Sequence, residues 1–174
     1  VWNFAEDHNA ALSLTQAQRA PSASEMFSYG PHIGTETFEV GALFWLHDGE
    51  HPHFHYGNDV DEEISNNIDL SLRKHSGEIG WVVNLFYNQV DNFYYQRNTG
   101  YTSEAIEGHQ EEHEQEEYEE HGHDHGVLPV YAFEQADATL YGLEAQLAWQ
   151  FATPFTLTLW GDSIHGLLSQ SDAP

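Results

Sequence analysis

Apolar and polar residues alternate with a period of two through most of this chain. From 141 to 149 the odd positions are Tyr141, Leu143, Ala145, Leu147 and Trp149, whereas the even ones include Gly142, Glu144 and Gln146. Successive side chains of a β-strand point to opposite faces, so this pattern predicts a strand with one apolar and one polar face. Phe155, Leu157 and Leu159 repeat it against two threonines, and Ile68, Leu70 and Leu72 alternate with Asn67, Asp69, Ser71 and Arg73. Ile79, Trp81, Val83, Leu85 and Tyr87 continue the pattern, as do Leu12 and Leu14. Six strands are expected, at about 1–4, 10–19, 64–75, 78–97, 131–151 and 155–166, with no long helix.

The connections alternate as strictly as the residues. Short links fall at 5–9, 76–77 and 153–154, and long ones at about 20–63 and 98–130, so every long loop leaves the same end of the strands. Tight turns at one end and long loops at the other are the arrangement of an outer-membrane barrel, whose strands need only about 9–11 residues with one apolar face. The longest apolar run, "GALFWL" from 41 to 46, is far short of the roughly 20 residues of a transmembrane helix. Trp2, Phe93, Tyr94, Tyr95, Tyr131, Phe133, Trp149 and Phe151 lie near strand ends, where interfacial aromatic girdles belong. The fold class expected is all-β: antiparallel up-and-down strands forming part of a transmembrane β-barrel. A soluble antiparallel sheet with one buried face is the alternative.

Charge and composition narrow the chemistry. The chain carries 29 Asp and Glu against 4 Lys and Arg, a net charge of -25 that disfavours nucleic acid and anionic headgroups and favours cations. With no cysteine, disulfides and thiolate metal sites are excluded, leaving His nitrogen and carboxylate oxygen as the strong ligands. No phosphate-binding glycine loop, HExxH motif or nucleophile elbow occurs, so no enzyme is expected. The chain opens mid-pattern on "VWNF", as an internal fragment would.

Both long loops carry histidine clusters. In "HDGEHPHFHYG", His51, His53 and His55 alternate and would project to one side of an extended segment, with His47, Asp48 and Glu50 nearby. The segment 107–126, "EGHQEEHEQEEYEEHGHDHG", holds five histidines and nine carboxylates. His121, His123 and His125 alternate around Asp124 there, and His109 and His113 would share one face of a helix. Zinc takes about four N or O donors, which two or three imidazoles and a carboxylate supply. Mutual repulsion among ten acidic residues between 104 and 125 predicts a free loop that is disordered and orders on binding metal, a loose site suited to capture and handover. Copper or nickel would also bind such sites, since affinity follows the general divalent order.

The blocks "QRAPSASEMFSYGPHIGTETFEVG" (18–41), "ISNNIDLSLRK" (64–74), "NLFYNQVDNFYY" (84–95) and "ADATLYGLEAQL" (136–147) resemble, in this order, strands and loops of TonB-dependent outer-membrane receptors. The resemblance is closest to the zinc receptors of the ZnuD type. It implies a segment of a plugged barrel of about 22 strands in the outer membrane of a Gram-negative-type cell. It further implies TonB-dependent uptake of zinc as transported substrate, with lipid, TonB and the receptor's own plug as partners; the plug itself lies outside this sequence. His32, in "GPH", then becomes a candidate ligand at the pore mouth. A departure follows "FEVG", where "ALFWLHDGEHPHFHYGNDVDEE" replaces the family's short turn. Two alternatives stay open: a TonB-dependent receptor for haem or another metal chelate, and a periplasmic zinc-binding or chaperone protein.

Overall fold

The computed structural model describes residues 1–49, 51–107 and 127–169. In chain order the elements are β1 (Trp2–Ala5), β2 (His8–Arg19), α1 (Ala23–Phe27), β3 (Tyr29–His32), β4 (Thr37–Val40), β5 (Phe44–His47) and β6 (His53–Tyr56). They continue with β7 (Glu63–Lys74), β8 (Ile79–Thr102), α2 (Ser103–Glu107), β9 (Pro129–Ala152) and β10 (Phe155–Ser169). The chain divides into two compact units. One contains Val1–Arg19, Glu63–Phe93 and the chain from Ala136 on; the other contains Ala20–Glu62 and Tyr94–Gln135, so β8 and β9 run through both.

The first unit is an antiparallel meander in the order β1-β2-β7-β8-β9, with β10 on β9. Its register turns the sequence alternation into rows. Leu12 lies opposite Leu70 and Leu70 opposite Leu85; Leu14, Ile68 and Tyr87 form the next row, and Ala10, Leu72 and Val83 the one on the other side. Leu159 opposite Leu147 and Leu157 opposite Trp149 extend the pattern onto β9 and β10. Most of these side chains are exposed, Leu14 at 69% and Leu12 at 64%, while Ala10, Leu70, Leu72 and Val83 are half-buried. In water that would be an aggregation surface, but against acyl chains each such side chain gains about 1.5–3 kcal/mol of transfer energy. The opposite face is polar: Ser65 donates to Asn88 at 2.9 Å and Asn67 donates to Ser65 at 3.2 Å. A row of amides, Gln16, Asn66 and Gln89, closes the apolar band towards the long loops, with Gln16 donating to Asn66 at 2.8 Å.

Aromatic residues bound the band. At the short-turn end Trp2, Phe4, His8 and Trp81 follow one another with ring centroids 5.6–6.0 Å apart, and Trp149, Phe151 and Phe155 form a second such group. Tyr87 and Tyr141 occupy the other limit of the alternating stretches, Tyr141 stacked on His165. Two of the residues expected at an interface do something else. Tyr94 is buried, its hydroxyl donating to the Asp61 carbonyl at 2.8 Å, and the Tyr95 hydroxyl donates to Glu134 at 3.1 Å.

The second unit folds like a small soluble protein. Phe38, Val40, Ile106, Val130 and Ala132 form a buried cluster, with Phe44, Phe54, Tyr101 and Leu128 packed against it. Most of the long loop expected from about 20 to 63 is therefore structured. The sequence "SASE" supplies a capping box for α1, Ser22 accepting from the Glu25 amide and Glu25 accepting from the Ser22 amide. β3 pairs with β4, β4 runs parallel to the start of β9 across Phe38–Val40, and β5 pairs with β6. Gly41 is required where the chain passes α1, because a Cβ there would lie 2.2 Å from the Met26 carbonyl oxygen.

Candidate metal-capture site

The β5–β6 hairpin sorts its eight residues by face. Phe44 lies opposite Tyr56 and Leu46 opposite Phe54, while Trp45 lies opposite His55 and His47 opposite His53. Phe44 and Phe54 pack on the buried cluster, so burial of one face fixes the other as the one that shows Trp45, His47, His53 and His55. Bonds from Gly57 and Asn58 amides to the Leu43 carbonyl, 2.9 and 3.0 Å, close the hairpin's open end.

Three imidazoles consequently meet. Ring centroids lie 4.5 Å apart for His53 and His55, 5.0 Å for His47 and His53, and 6.2 Å for His47 and His55. Trp45 stacks on His55 at 4.7 Å. His53 is also oriented: its Nδ1 donates to the His51 carbonyl at 2.8 Å, which leaves Nε2 as the lone-pair nitrogen. Among the described residues no group of three His, Asp or Glu already converges on a single ion position.

A polar framework stands beside the hairpin. The Tyr101 hydroxyl donates to Asp48, the residue after His47, and this hydrogen bond raises the Tyr101 pKa above its ordinary value. Arg97 donates to Glu134 through Nε at 2.7 Å and Nη2 at 2.6 Å; that bond, reinforced by nearby negative charge including Asp48, raises its pKa further. Burial, with Glu134 adding its charge, raises the Tyr95 pKa.

The expected ligands separate into three groups. His47, His53 and His55 come together. His51 sits in the connection between the strands, where its carbonyl serves His53. His32 lies on β3 with Nδ1 2.8 Å from the Thr35 hydroxyl and 3.8 Å from Glu39, without a ring contact to the trio among the described residues. His109, His113, His121, His123, Asp124 and His125 lie outside the described residues, as does Glu50. Trp45, Tyr101 and Arg97 were not candidates from sequence. Trp45 follows from the parity of "FWLH", but Tyr101–Asp48 joins residues 53 apart without any local signal.

Comparison with known proteins agrees with this architecture. Residues 1–171 match the family model described as TonB dependent receptor-like, beta-barrel. The chain belongs to that family, whose members are outer-membrane proteins. Among solved structures it is similar to the copper transporter OprC, with a TM-score of 0.59 and 13% identity over 94% of this chain and 19% of that one. It is also similar to a mutant of the ferric enterobactin receptor PfeA from Pseudomonas aeruginosa, with a TM-score of 0.51 and 15% identity over 97% of this chain and 21% of that one. The chain thus spans about a fifth of the length of the structures it resembles.

Proposed function

We propose that this chain is part of a receptor for TonB-dependent uptake of zinc, and that the exposed face of the β5–β6 hairpin captures the ion. The observation that carries the reading is the trio His47, His53 and His55, with centroids 4.5 to 6.2 Å apart. Tetrahedral zinc with Zn–N near 2.0–2.1 Å holds its imidazole centroids roughly 5 Å apart, so side-chain rotation alone closes these rings on an ion. Asp48, next to His47 in sequence and held by Tyr101, is a further carboxylate donor for the ion. The His-rich segment 107–126 adds further donors for the same cargo. Family membership replaces the alternative of a soluble periplasmic metal buffer.

Copper is the second reading, favoured by the chemistry of the donors: imidazole sites hold copper at least as tightly as zinc. Trp45 provides the test, because its ring lies on His55. In the intact receptor, zinc added at low micromolar concentration is expected to change Trp45 emission, and the H47A/H53A/H55A variant to abolish the change. If haem or copper saturates the site while equal zinc leaves the emission unaltered, zinc is not the cargo captured here.

A further inference from the structure

The four basic side chains of this acidic chain are used unequally. Arg19 pairs with Glu63 at 2.9 Å and Arg97 with Glu134 at 2.6 Å. Arg73 and Lys74 form no ion pair among the described residues, although acidic residues outnumber basic ones 29 to 4. The two are adjacent at the short-turn end of β7 and point to opposite faces of the sheet.

Lys74 has the parity of Leu70 and Leu72 and so stands on the apolar face. In register it lies between His8 on β2 and Trp81 on β8, one row beyond Ala10, Leu72 and Val83. Its ammonium reaches over the turn, 3.8 Å from where a Cβ of Gly77 would be, so the stem follows the apolar face while the charge reaches its margin. The His8 and Trp81 rings, 6.0 Å apart, wall the position. In the neighbouring turn Asp7 faces His75 at 3.8 Å.

We infer that Lys74, His8 and Trp81 form a binding site for the phosphate of an anionic glycerophospholipid in the periplasmic leaflet. Short turns of outer-membrane barrels are periplasmic, which puts Lys74 at a headgroup level. A cation at the edge of hydrocarbon needs a counter-charge, and no protein carboxylate among the described residues supplies one. The lipid phosphate does so, with the indole at the interface and the acyl chains along Leu72 and Val83.

Native mass spectrometry of the intact receptor, loaded with equal amounts of phosphatidylglycerol and phosphatidylcholine, tests the site. The wild type is expected to retain phosphatidylglycerol about fivefold over phosphatidylcholine, the preference that one interfacial cation confers. Lys74→Gln should reduce this to near parity, while Lys74→Arg and Arg73→Gln keep it. An undiminished preference in Lys74→Gln, or an equal loss in Arg73→Gln, overturns the inference. Release of the lipid by inorganic phosphate overturns it as well, since the site would then be one for a free ion.

Discussion

The two units of this chain solve opposite problems with similar residues. The strand unit displays Leu12, Leu14, Ile68, Trp2 and Phe155, each close to or more than half exposed. The other unit hides Phe38, Val40 and Val130 at 2% exposure or less and displays histidines. Hydrophobic residues are placed by the solvent they meet, so burial within the chain marks a core only where that solvent is water. The His trio belongs to the second regime: it is on show because the other face of its hairpin is committed to a core.

Mutations should separate the two regimes. Phe38→Ala, which empties the buried cluster, is expected to cost about 3–5 kcal/mol and to make the chain around α1–β6 sensitive to protease while the strand unit stays resistant. Leu70→Arg, at the centre of the exposed rows, should cost about 2–4 kcal/mol in denaturant unfolding from a bilayer, although it vacates no internal core. H47A/H53A/H55A should leave unfolding within about 0.5 kcal/mol of the wild type, yet weaken metal binding on the order of tenfold or more in calorimetry.

The smallest effect is expected at Tyr101. Its raised folded-state pKa means that the Asp48 bond stabilises below the ordinary tyrosine value of 10.0, and that this contribution disappears as pH rises through the higher folded value. A difference titration at 295 nm between the wild type and Tyr101→Phe should place the Tyr101 step above that of free tyrosine, and Asp48→Asn should bring it down. If Asp48→Asn leaves the step in place, the bond to Asp48 is not its cause.

Much of the strand unit was readable because each long strand is wet by lipid on one face only, which writes a period of two into ten or more residues. The second unit was not. β3, β4, β5 and β6 have four residues each, too few for a period to emerge, and "GALFWL" mixes a half-buried Phe44 with an exposed Trp45. The trio illustrates the same limit. Alternation along the chain aligns His51, His53 and His55, but it is pairing across the hairpin that sets His47 against His53, and strand register is a property of two segments. The capping box at Ser22 and Glu25 was present in "SASE" and announces α1; Tyr101 with Asp48, and Arg97 with Glu134, depend on long-range folding alone.

Metal capture by the hairpin is tested most directly by anomalous scattering at the zinc edge from crystals of the intact zinc-loaded receptor. The expected result is a zinc peak bounded by the imidazoles of His47, His53 and His55, with nitrogens at about 2.0–2.1 Å. Zinc peaks elsewhere in the receptor with none at this hairpin would contradict it.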